Sequence, residues 1–125
     1  MTTHSSFSQK VGYTRKEFGA IFQIYSQNVY YGLFKDFSFV ESKGRYYISF
    51  REEAGKTPLI TIEKQRLGPD RVLFIATSPG PKNTLIEIAR SEKIDPFIRQ
   101  LRGKIEILRN GRGNSSSGST QTIRS

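Results

Sequence analysis

The chain reads as an α+β domain: an N-terminal helix, an antiparallel sheet of four or five strands and a C-terminal helix, with both helices on one face of the sheet. Three observations predict this. Apolar residues recur at three- and four-residue spacing from Phe18 to Val29 and again from Phe97 to Leu108, they alternate every second residue through much of the chain between, and Gly- or Pro-bearing breaks divide that middle into short runs. Strands grouped together and flanked by helices favour α+β over a parallel, alternating fold.

The first helix is expected over about Arg15 to Tyr31. Thr14 and Glu17 stand at capping-box spacing, Tyr13 and Phe18 can staple around them, and Gly32 sits where a helix would end. Phe18, Ile21, Phe22, Tyr25 and Val29 form one apolar stripe that must be buried against something flat. LFKDFSFVE and YYISFR follow as a hairpin with SKG as its turn. In it Phe37 and Phe39 alternate with Asp36 and Ser38, and Tyr46, Ile48 and Phe50 alternate with Tyr47, Ser49 and Arg51. PLITIEK and RVLFIAT are two further β-rich runs, preceded by the connections EEAGKT and RLGPD. SPGPKN is a turn, after which TLIEIA is a fifth short strand or the opening of a helix, with the strand preferred. In DPFIRQLRGKIEIL, Asp95 is placed to cap a helix, Pro96 to take its first position, and Phe97, Leu101, Ile105 and Leu108 to line one side. Gly103 weakens that helix by up to about 1 kcal/mol relative to alanine. Residues 1–12 and the basic, Ser/Gly-rich stretch 109–125 read as disordered ends of a single domain spanning 13–108.

Several chemistries are excluded by residue type. Cysteine is absent, which removes disulfides, thiolate nucleophiles and cysteine-based metal sites. The one histidine, His4, lies in the unpatterned start of the chain, so neither zinc binding nor a histidine-activated serine is expected. Glu52 and Glu53 are adjacent and would point apart on a strand, which argues against a paired-carboxylate site. AGKT at 54–57 has the ending of a phosphate-binding loop, but Phe50 stands where its first glycine belongs and Pro58 where its helix should begin. No enzyme, cofactor or metal is expected. No apolar run reaches the roughly 20 residues of a membrane helix, the N-terminus lacks a signal-peptide core, and a cytoplasmic setting follows as the expectation.

The formal charge is +9. Lys10 is the only charge before Thr14, and Arg109, Arg112 and Arg124 are the only ones after Leu108, so just over half of the excess lies within the folded block. Such an excess favours polyanions, because neutralised phosphates release counterions. If helices cover one face of the sheet, the other is left to water, to a partner or to nucleic acid. Lys43, Arg45, Tyr47, Arg51, Lys64 and Arg66 are the candidates for holding RNA or single-stranded DNA there, Tyr47 by base stacking and the cations by phosphate contact. The competing expectation is a protein-interaction or self-pairing module that uses the same face or an exposed edge strand.

TRKEFGAIFQIYSQNVYYGLFKDF resembles the alphaproteobacterial family called domain of unknown function 2794. The matching positions are Arg15, Glu17, Phe18, Ile21, Tyr25, Val29, Gly32, Phe34 and Asp36, then Arg45 to Arg51, then Pro58, Leu59, Ile62, Glu63 and Lys64. The likeness covers about residues 14–64. It departs from the family at Phe34, where tryptophan is usual, and at Ser26, where glycine is usual. It implies a bacterial, cytosolic setting and no particular activity. The order helix, sheet, helix also has a looser likeness to the RNA-binding proteins of the signal recognition particle Alu domain and to PUR repeats, at the level of fold alone.

Overall fold

The structure, a computed structural model, describes the backbone of residues 12–116 and the side chains of 12–111. The expectations for 1–11 and 117–125 fall outside the described residues. Helix α1 spans Arg15–Tyr30, strands β1 to β5 span Asp36–Ser42, Arg45–Arg51, Ile60–Gly68, Arg71–Pro79 and Leu85–Ser91, and helix α2 spans Ile94–Ser116. The sheet order is β1-β2-β3-β4-β5, each strand antiparallel to the next. The architecture is α+β, as the periodicities predict.

Local chemistry sets the ends of α1. The Thr14 hydroxyl accepts from the Glu17 amide at 3.1 Å while the Glu17 carboxylate accepts from the Thr14 amide at 2.9 Å, closing the capping box. At the other end Gly32, at φ +80°, lets the Leu33 amide reach the Asn28 carbonyl and its own amide reach Val29, the paired bonds of a Schellman ending. The β1–β2 turn is tight because Lys43 and Gly44 both take positive φ, the conformation that a two-residue hairpin turn requires.

Sequence and structure differ at α2. It begins at Ile94, so Asp95 lies within the first turn instead of capping it, and Pro96 follows where a missing N–H costs nothing. It also runs past Leu108 into residues that read as tail. Arg109, the first residue of that extension, is anchored to α1: its guanidinium donates to the Asn28 side chain at 3.1 Å and lies 4.2 Å from the centre of the Tyr31 ring.

The core lies between the helices and one face of the sheet. Ile21 and Ile24 of α1 and Phe97, Leu101 and Ile105 of α2 meet Ile48, Phe50, Ile60, Ile62, Phe74, Ala76 and Ala89 of the strands, all essentially without solvent contact. The register joins these into rows across the sheet, for example Phe39–Ile48–Ile62–Ala76–Ala89.

Tyr13 closes one end of this core. Its hydroxyl donates to the Tyr46 carbonyl at 2.9 Å, and burial, followed by the nearby Glu17 and Glu63 carboxylates, raises its pKa far above the ordinary 10.0. A phenol harder to ionise folded than unfolded adds stability that is complete below pH 10.0 and drains away as pH rises beyond it. Denaturant midpoints measured from pH 8 to pH 11 should therefore fall above about pH 10, and Tyr13→Phe should flatten that fall; an unchanged slope would refute the assignment.

Candidate functional site: the uncovered face of the sheet

Even-numbered residues of β2 and β3 face the helices and odd-numbered ones face away, as the register requires. Tyr46 packs against the core, with its ring directly over Gly12, while Tyr47, Ser49 and Arg51 point outward. Two rows define this face, which no other described element covers and which is called the uncovered face. One reads Val40–Tyr47–Glu63–Ile75–Arg90, and its neighbour reads Ser38–Ser49–Thr61–Thr77–Glu87. The small hydroxyl-bearing side chains of the second row make the middle of the face shallow, and Val40, Tyr47, Leu73 and Ile75 give it an apolar strip.

The six predicted residues do not form one cluster. Arg45, Tyr47 and Arg51 share the uncovered face, with Lys43 exposed at the hairpin tip beside them. Lys64 does not belong to it. It pairs across the sheet with Tyr46 and Phe74 on the helix side, is only 8% exposed, and donates from Nζ to the Gly12 carbonyl and to Glu17 Oε1, both at 2.6 Å. Lys64 cannot share a face with Thr61 and Glu63, because neighbouring positions on a strand point to opposite sides. Arg66 follows the same parity, pairs with Val72 and reaches the Pro69 carbonyl at 3.4 Å, so it too lies off the uncovered face.

The charges of the face are already partnered. Arg51 Nη1 donates to Asp36 at 3.2 Å and to the Ser38 hydroxyl at 2.8 Å, and its Nε donates to the Lys56 carbonyl at 3.0 Å. These bonds tie β1, β2 and the following loop together. Asp36 takes Arg51 as its partner. Arg45 instead stands 3.5 Å from Glu63, which also accepts from Gln65 at 2.9 Å. Arg90 forms two bonds to Glu87, at 2.9 and 3.0 Å, which hold the Glu87 carboxyl below its usual pKa and raise that of the guanidinium. Arginine and carboxylate thus balance over the face.

Glu52 and Glu53 lie exposed in the loop after β2, and AGKT leads into strand β3 without a helix. Among the described residues no group of three or more His, Cys, Asp or Glu could hold a metal, and no helix is long and apolar enough to cross a membrane.

A second feature escaped the sequence reading. The C-terminal end of α1 and the middle of α2 enclose an open groove of about 400 Å³, lined by Gln27, Tyr30, Tyr31, Arg102 and Arg109 among others. Arg102 and Arg109 stand seven residues apart and therefore on one side of α2, a spacing visible in the sequence. Their position opposite a tyrosine pair depends on how two helices dock, which no local pattern records.

No family model, curated protein or solved structure matches this chain.

Proposed function

We propose that the protein is a non-enzymatic binding module that pairs with a second copy of itself through the uncovered face of the sheet. The supporting observation is the pairing of Arg45, Arg51 and Arg90 with Glu63, Asp36 and Glu87 around an apolar strip. A charge-balanced face gives a long polyanion little net attraction. It does present both signs to an identical face, where each guanidinium can meet a carboxylate of the other copy. The shallow Ser/Thr row lets two such faces approach closely, and the half-exposed tyrosine is a residue type favoured at interfaces. A cytoplasmic setting accompanies this reading, favoured by the lack of cysteine.

Sedimentation equilibrium tests it. The expected result is a mass that rises from one chain towards two with concentration, and a lower association constant for Tyr47→Glu, which sets a carboxylate opposite Glu63. Val40→Lys, at a half-exposed edge position, should act in the same direction without touching the core. A monomer at every concentration refutes the proposal.

The earlier expectation of RNA or single-stranded DNA on this face keeps one favourable observation, the outward row of Arg45, Tyr47 and Arg51 along a single strand. Under that reading, binding to a mixed oligonucleotide would weaken with salt and with Tyr47→Ala.

A further inference from the structure

The seam between the helices differs electrically from the sheet. Lys16 stands 3.7 Å from Asp95 at one end, and beyond it Arg102 and Arg109 face α1. Among the described residues neither arginine is paired with a carboxylate. Arg102 reaches only the amide oxygens of Gln27 and Gln23, both at 3.4 Å, and Arg109 bonds the Asn28 amide oxygen and covers the Tyr31 ring. At such distances Arg102 is held loosely, and its donors can turn to a stronger acceptor at little cost. Every arginine of the sheet face is neutralised at contact range, whereas these two are not.

Beside them stands an aromatic surface that has, among the described residues, no partner on its outer side. Tyr30 is 85% exposed and touches Tyr31 edge to face, with ring centres 5.4 Å apart. Tyr31 already has a cation on one side, so Tyr30 is the ring available for stacking. The groove therefore joins two guanidinium groups with no carboxylate in bonding contact, the exposed amides of Gln23 and Gln27, and an exposed ring, with the Glu106 carboxylate also in its lining, on the layer of the molecule opposite the sheet face.

We infer that this groove binds single-stranded nucleic acid, with a backbone phosphate at Arg102 and Arg109 and a base against Tyr30. Arg102 offers a planar fork of donors that matches phosphate oxygens. A stacked base needs only a π-face, so the site tolerates any sequence. Duplex has no unstacked base to offer and is held by charge alone. The site lies on the helix layer, so it remains open whether or not the sheet faces pair.

The test is fluorescence anisotropy with a labelled, mixed-sequence DNA single strand of about a dozen nucleotides, read at about 50 and about 200 mM salt. Wild-type protein should bind at low salt and weaken as salt rises. Tyr30→Ala should weaken binding by about tenfold, the loss expected of one stacked base. Arg102→Ala should reduce the salt dependence by about one phosphate contact. Arg71→Ala removes the same charge from a site away from the groove, where Glu92 already pairs with it, and should change affinity far less. Both groove side chains are exposed, so loss of folding does not confuse the comparison. No binding at low salt overturns the inference. So does an equal effect of Arg71→Ala and Arg102→Ala, which would mean net charge alone, and so does sensitivity to Tyr47→Ala with none to Tyr30→Ala, which would put the strand on the sheet.

Discussion

Truncating Phe34 to alanine should destabilise the fold by about 3–5 kcal/mol, the range for a large aromatic removed from a sealed core. The side chain has no solvent exposure. It lies parallel to Tyr25, with ring centres 6.1 Å apart and planes within 7°, and meets Phe50 at 5.0 Å. Those contacts join the end of α1 to the middle of the sheet at the corner where the chain leaves the helix. The corner cannot collapse to fill the void, since Gly32 and the Leu33–Asn28 bond fix the backbone immediately before it. Phe34→Leu keeps most of the volume and should cost markedly less. Urea unfolding followed by circular dichroism measures both, and a loss below about 1 kcal/mol for the alanine variant would show that the corner repacks.

Replacing Lys64 with methionine should be comparably severe, about 3–5 kcal/mol, for a different reason. The apolar stem is largely preserved, and what disappears is the cation opposite Glu17. That carboxylate has a side chain only 12% exposed and would remain charged in a nearly closed site. Lys64 also lies 5.6 Å from the ring centres of both Tyr13 and Phe74, so its ammonium is surrounded by π-faces as well as by oxygen. Glu17→Gln on the methionine background removes the stranded charge while leaving an oxygen for the capping box, and should recover a substantial part of the loss. A double-mutant cycle of unfolding free energies reads the coupling directly. If the two substitutions are simply additive, Lys64 and Glu17 do not act as one buried unit.

Lys64 also shows how far the sequence could be read. The alternation Ile60, Ile62, Lys64 places it on the apolar side of β3 by parity alone, and Arg66 after it. Assigning both to the outward face let side-chain polarity override position. The partner that makes a buried lysine tolerable, Glu17, is distant in sequence and belongs to a different element, so no periodicity announces it. The capping box, the left-handed Gly32 and the tight turn at Lys43–Gly44 were legible because each depends on residues within one turn of one another. The seam of Arg102 and Arg109 against Tyr30 and Tyr31 was not. It is set by the docking of α1 on α2 across most of the chain.

The strand order carries a kinetic consequence. Each ribbon bonds to the one just before it in the chain, so the sheet can zip from any single hairpin by closing short connections in turn, each with a small entropic barrier. The two rods come from opposite ends of the sequence and meet only across the finished platform. Their meeting, with bonded side chains 75 to 81 residues apart, is a longer-range closure than the Lys64–Glu17 and Tyr13–Tyr46 contacts, and the slowest step of the molecule's assembly belongs there.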